Sequence, residues 1–233
     1  MNKPVELQLE TVPLWINGRA VAPAVPRMGE IYNPAIGQVV RRVPMCDARL
    51  VDAAVKAATA ALPVWRDWPP LRRARVMQRF LRLMEENQKE LARLVTEEHG
   101  KTVPDAMGSI QRGIEVIEFA CGIPNLLKGE HSENVGTRVD IHTVRQPVGV
   151  CAGITPFNFP VMVPLWMFPM ALACGNAFIL KPSEKDPSPS IRMAELLKEA
   201  GVPDGVFNVV HGDKECVDAI LNHPGIHAVS FVG

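Results

Sequence analysis

VGVCAGITPFNFPVMVPLWMFPMALACGNAFILKPS, residues Val148 to Ser183, carries the pattern that decides the fold. A short apolar run, Val148 to Ile154, meets a turn, Thr155-Pro156-Phe157-Asn158-Phe159-Pro160. An apolar segment follows to Cys174, then a Gly175-Asn176 break and a second apolar run, Ala177 to Leu180. This reads as strand, loop, helix, strand, with room for a single crossover. Parallel strands need such a crossover, and it is right-handed in nearly every case. Both strands are apolar throughout rather than alternating, as in a sheet covered on both faces. Asn158 follows the first strand and Lys181 the second, where open α/β sheets bind ligands.

The same rhythm continues downstream. A helix over Ser190–Ala200 ends at Gly201, and a strand over Val206–Val210 follows. A helix over Asp213–Leu221 then leads to a strand over Ala228–Val232. Four parallel strands with three crossovers predict a doubly wound α/β nucleotide-binding sheet. The G-x-G-x-x-G fingerprint is absent; its place is taken by His211-Gly212-Asp213, with one glycine.

Upstream, residues 1–13 are polar and expected to be loose. Leu14–Arg19 is a short strand and turn, with Asn17-Gly18 as the hairpin signal. Ile31–Gly37 is a second strand and turn, followed by a strand over Gln38–Pro44. Asp47 caps a helix over Ala48–Leu62. Pro69-Pro70 opens a helix over Leu71–His99 that stops at Gly100. Pro104 starts a third helix to about Gly122, with an apolar stripe of Met107, Ile110, Ile114, Ile117 and Cys121. Asn125–Gly136 reads as a loop, and the alternation over Arg138–Arg145 as a half-exposed strand.

The 233 residues suit one large domain or two small ones. Net charge is zero, which argues against a nucleic-acid partner. The Arg72-Arg73-Ala74-Arg75 cluster is balanced by Glu85, Glu86, Glu97 and Glu98, so the segment reads as a solvated helix face. Five cysteines are scattered without a C-x-x-C pair. They imply no disulfide framework and no metal site, and they fit a reducing compartment. The start lacks the apolar core of a signal peptide, and Phe159–Cys174, broken by three prolines, is too short for a membrane span of ~20 residues. A cytoplasmic protein without membrane association is expected.

The Pro156-Phe157-Asn158-Phe159-Pro160 loop and the Lys181-Pro182-Ser183-Glu184 strand end resemble two specific motifs of the aldehyde dehydrogenase superfamily. The wording from Gly153 to Ser188 looks like its CoA-acylating methylmalonate-semialdehyde branch. The resemblance runs from about Leu14 to Gly233. Chains of that family continue for as long again, so the stretch resembles an N-terminal half. It implies a Rossmann-like NAD-binding domain with N-terminal strands and helices (1–127), an oligomerisation β segment (128–147) and a parallel βαβ portion (148–233). For residues 138–145 an ordinary edge strand is the alternative. A homo-oligomer, dimer or tetramer, is implied.

The resemblance also assigns roles. On its residue type alone, Asn158 is either the N-cap of the following helix or an amide donor to an oxyanion; the motif implies the second. Lys181 and Glu184 suit the hydroxyls of a ribose, and a carboxylate there disfavours a 2′-phosphate, hence NAD over NADP. Lys185 beside them softens that exclusion, and a strand-end ion pair is the structural alternative. Thr155, Pro156, Phe157, Gly212, Phe231 and Gly233 complete the implied cofactor side. Arg112 resembles a clamp for a substrate carboxylate, its alternative being a solvated pair with Glu115. No cysteine stands in the family's nucleophile context, so these residues alone should be inactive. The implied reaction oxidises methylmalonate or malonate semialdehyde, with NAD, to propionyl- or acetyl-CoA with loss of carbon dioxide, coenzyme A being the acyl acceptor. A hydrolytic dehydrogenase for another small semialdehyde and an inactive nucleotide-binding fragment are the alternatives.

Overall fold

The computed structural model describes residues 9–233. Of the leading segment read as loose, residues 1–8 lie outside the described ones. Its remainder contributes β1 (Glu10–Thr11), which pairs in parallel with a later strand. β2 (Leu14–Ile16) and β3 (Arg19–Val21) form the expected hairpin. Asn17 and Gly18 between them have φ of 53° and 70°, the left-handed pair that a two-residue type I′ turn requires. β4 (Met28–Asn33) and β5 (Gln38–Pro44) make a second hairpin and complete a three-stranded sheet with β1. Four helices follow: α1 (Ala48–Asp67), α2 (Pro70–Glu86), α3 (Gln88–His99) and α4 (Val103–Cys121). A short α5 (Ile123–Leu126) leads to the ribbon of β6 (His131–Gly136) and β7 (Val139–His142). The remainder alternates: β8 (Val150–Ile154), α6 (Met162–Ala173), β9 (Ala177–Lys181), α7 (Ser188–Ala200), β10 (Phe207–Val209), α8 (Lys214–Leu221) and β11 (Ala228–Phe231).

The main sheet has the order β11-β8-β9-β10-β2-β3, with the first four strands parallel and β2 antiparallel to β10. This is the expected doubly wound α/β arrangement. Its two faces feed separate cores. Cys151, Phe178, Leu180 and Phe207 pack with α2, α4, α6 and α7. Val150, Ala152, Ile154, Ala177 and Ile179 pack with α1 and α8. Alternate residues of one strand therefore enter different cores, which is why β8 and β9 are apolar at every position. The Phe168 and Phe207 rings anchor the first core at 4.7 Å between centroids.

Tertiary packing overrides local signals at several places. α1 was expected to end at Leu62 but runs through Pro63 to Asp67. The reason is Trp65, which is fully buried and donates from Nε1 to the Leu172 carbonyl at 3.0 Å. The single helix expected over Leu71–His99 is split at Asn87, whose side-chain amide donates to the Leu83 carbonyl at 2.7 Å. Asparagine competes in this way for helical carbonyls. Arg73 and Glu98 leave the solvated face assigned to them: both are buried. Arg73 caps the carbonyls of Arg66, Trp68 and Ala173, and Glu98 accepts from Arg41 and from Ser188. The expected loop 125–136 contains the end of α5 and all of β6. β7 is shorter than expected and exposed on both faces, because the β6–β7 ribbon projects from the body. Among the described residues, no helix is long and apolar enough to cross a membrane.

Candidate active site

Three strand ends define the site. Register pairs Ile154 of β8 with Lys181 of β9 on one side and with Phe231 of β11 on the other. Thr155 leaves the sheet bonded to its neighbour, its N–H donating to the Lys181 carbonyl at 3.1 Å. The Thr155–Pro160 loop, the Lys181–Asp186 segment and the 231–233 tail thus emerge along one line of the sheet. Sequence separation hides this line, and parallel register creates it.

Within the loop, Thr155 is buried and its hydroxyl has no hydrogen-bond partner. The Phe157 ring is half-exposed, stacks on the His99 ring at 6.1 Å and lies 4.8 Å from the Lys185 ammonium. Asn158 is exposed. It does not cap α6: the N-cap position is Val161, and no side chain caps that helix. Of the two readings of Asn158, the helix cap is therefore not formed. Its carbonyl accepts a hydrogen bond from Lys101 Nζ at 2.8 Å.

Lys181 is buried, and its Nζ donates to the Gly212 carbonyl at 2.8 Å. Glu184 Oε2 lies 3.5 Å from the same ammonium. The strand-end ion pair thus exists, but with a buried lysine rather than two surface side chains. Gly212 has φ of 153°, and a Cβ there would lie 2.5 Å from the Cβ of Cys216, so no other residue fits. The turn is tied down by His211, whose Nε2 bonds the Pro13 carbonyl at 2.8 Å and whose own carbonyl accepts from the Cys46 N–H at 2.9 Å. Burial pushes the His211 imidazole down to about 4, so it is neutral and donates through Nε2.

The five cysteines are free; Cys46, Cys151 and Cys216 are buried, and Cys121 and Cys174 half-buried. Burial pushes Cys151 up to about 11 and also raises Cys121 and Cys174. The hydrogen bond that Cys216 donates to Cys46, together with burial, pushes Cys216 far up. That bond lowers Cys46, but its side chain is fully buried.

Arg112 lies on α4, exposed, on the face away from buried Ile110, Ile114 and Ile117. The pair with Glu115 does not form; among the described residues Arg112 has no ion-pair partner. Its charge is felt at Lys101, whose ammonium is lowered first by burial and then, more weakly, by Arg112. Arg112 is thereby within electrostatic reach of the lysine that holds the Asn158 carbonyl. Gly113 beside it lets α4 approach α6, since a Cβ there would meet Leu165 at 2.5 Å.

Sequence reasoning missed four side chains here: Lys101, His99, Glu98 and Asp186. A cavity of about 340 Å³ opens between Tyr32, Glu98, His99, Phe157, Lys185 and Asp186. Asp186 is buried with both carboxylate oxygens unpartnered, and burial, Glu98 and Glu184 push it up to about 8. Only its position two residues after Glu184 marked it in the sequence.

The sequence profile of the aldehyde dehydrogenase family matches residues 21–233. The malonate-semialdehyde dehydrogenase of Pseudomonas aeruginosa is 54% identical over 218 residues, 94% of this chain and 44% of that protein. The acylating, mitochondrial methylmalonate-semialdehyde/malonate-semialdehyde dehydrogenase of Rattus norvegicus is 47% identical, over 96% of this chain and 42% of its own. Among solved structures, a candidate methylmalonate-semialdehyde dehydrogenase from Sinorhizobium meliloti 1021, complexed with NAD, superposes with a TM-score of 0.95. It is 53% identical, and the match covers 98% of this chain and 46% of that one. The chain spans less than half the length of these relatives.

Proposed function

The chain belongs to the aldehyde dehydrogenase family, and from that membership we propose that it is the N-terminal, cofactor-holding part of an NAD-dependent enzyme. Its substrate is methylmalonate or malonate semialdehyde, and its products are propionyl- or acetyl-CoA, with coenzyme A as acyl acceptor, NAD taking the hydride and the substrate's carboxylate leaving as carbon dioxide. The observation that carries this reading is the convergence of the Asn158 loop and the Lys181–Glu184 strand end on one line of the sheet.

The residues present fit a dinucleotide. Lys181 is already oriented by Gly212 and faces Glu184, and an ammonium has three donors, so one remains for a ribose hydroxyl. Glu184 accepts from ribose and disfavours a 2′-phosphate. The unpartnered Thr155 hydroxyl, the backbone of Pro156, the Phe157 ring, Lys185, Gly212, Phe231 and Gly233 complete the contact set. When bound, NAD supplies the acceptor for the hydride of the aldehyde carbon.

Asn158 serves the carbonyl oxygen. Its side-chain amide donates a hydrogen bond as that oxygen takes on negative charge, without surrendering a proton. Arg112 holds the substrate's carboxylate through its planar fork, which accommodates two parallel hydrogen bonds. The thiolate that attacks the aldehyde is assigned to residues outside these 233, since no cysteine here is both ionised and accessible. The β6–β7 ribbon, within residues 128–147, is assigned to subunit association, in keeping with its exposed Val135, Val139 and Ile141.

The substrate claim rests on Arg112 and is tested by selectivity in the full-length enzyme. Arg112→Leu should lower kcat/KM for methylmalonate semialdehyde roughly tenfold to a hundredfold, while propanal, lacking a carboxylate, is barely affected. Equal losses on the two aldehydes would remove the reason for naming a carboxylated substrate.

A further inference from the structure

We propose that Lys101 is a positioning residue that holds Asn158 in register with the reacting oxygen. Lys101 lies in the short link between α3 and α4. Gly100 before it takes the left-handed helix-end conformation, φ 86°, with its N–H on the Thr96 carbonyl at 2.9 Å. Thr102 after it is the N-cap of α4, its hydroxyl accepting from the Asp105 N–H at 3.3 Å. The backbone on each side of Lys101 is therefore set by a helix end, and the side chain starts from a fixed point.

From there the ammonium grips two consecutive residues of the loop. It donates to the Asn158 carbonyl at 2.8 Å and stands 4.2 Å from the centre of the Phe159 ring. Asn158 needs such a hold. Among the described residues its side-chain amide has no hydrogen-bond partner, and it does not cap α6. Its orientation depends on the backbone of residues 156–160, and among the described residues Lys101 supplies the one side-chain hydrogen bond that this segment receives. Burial and, more weakly, Arg112 oppose the charged form of Lys101, and Asp105 favours it. A donor aimed at an oxyanion works only when its direction is set in advance, so freedom at this carbonyl translates into lost rate.

The inference rests on the oxyanion role proposed for Asn158, and the experiment separates the two. In the full-length enzyme, Lys101→Met keeps the stem over Phe159 and removes the cation; Lys101→Arg keeps a cation. Lys101→Met should slow the hydride-transfer step roughly tenfold, below the ~10²–10³ expected for loss of the donor itself. NAD affinity should be unchanged, and Lys101→Arg should recover most of the rate. Combined with Asn158→Ala, Lys101→Met should cost less than about a further twofold, because the two residues act as one unit. Independent, multiplying losses would overturn the positioning role while leaving the oxyanion role standing. A harmless Asn158→Ala would overturn the oxyanion role and this inference with it. A readout without turnover is amide hydrogen exchange over residues 157–162, which should quicken in Lys101→Met. Unchanged exchange there would overturn the inference by itself.

Discussion

Lys181 and Arg112 are the two cations proposed to meet ligands, and the protein holds them in opposite ways. Lys181 is buried and already bonded to the Gly212 carbonyl and to Glu184. Arg112 is exposed, and among the described residues no carboxylate pairs with it. The difference follows from burial. A buried ammonium without acceptors would be costly to hold, so the fold supplies them before any ligand arrives. An exposed guanidinium keeps its water and stays available for an anion that comes and goes. The strand-end side is thus built closed around its charges, and the α4 side is left open.

The strongest way to break the closed side is at Gly212. Gly212→Ala puts a Cβ at 2.5 Å from Cys216 in a backbone at φ 153°. Strain and overpacking together should cost roughly 3–5 kcal/mol. Thermal denaturation measures it, and a loss below about 1 kcal/mol would mean that the Lys181–Gly212 contact tolerates a different turn.

A second test uses charge. Folded Asp186 keeps its proton up to about pH 8, whereas its ordinary value is 3.8. Unfolding across that window releases a proton, so stability falls as pH rises. His211 acts the other way: it is held down to about 4 from 6.5, so its contribution rises with pH between those values and is complete above them. From pH 6.5 to 8 only Asp186 of the two still titrates, and the melting temperature should decline. Asp186→Asn should remove that decline and stabilise the protein near neutrality by on the order of 2 kcal/mol. A melting temperature that rises across this window would show Asp186 already ionised.

The smallest effect is expected at Glu184, which is only partly buried. Glu184→Gln keeps the shape and removes the charge, so the preference for NAD over NADP should fall by roughly 1.5 kcal/mol. An unchanged ratio of the two dissociation constants would show that this carboxylate faces away from the ribose.

What could be read from the residues was local. The apolar runs at β8 and β9 required a sheet covered on both faces, and both faces are covered. Asn17-Gly18 and the Asp47 cap have local causes, namely left-handed φ values and a side chain that reaches the N–H groups of Arg49 and Leu50. Lys181 and Asn158 were visible because strand ends in such sheets are where ligands bind.

Long-range packing decided the rest. Arg73 looked like one of three arginines on a wet face until the ends of α1 and α6 gave its guanidinium three carbonyls. The helix after Asp47 was expected only to Leu62, but it runs on through Pro63, and Trp65 meets the Leu172 carbonyl, 107 residues away. Lys101 carried no signal, because its partner Asn158 is 57 positions further along and offers a backbone carbonyl, a group every residue possesses. Residue identity governs propensity, turns and caps, which act within a few positions. Which buried polar group meets which carbonyl depends on how helices and sheet close together, and the cost of leaving such a group unpaired is felt only once that closure excludes water.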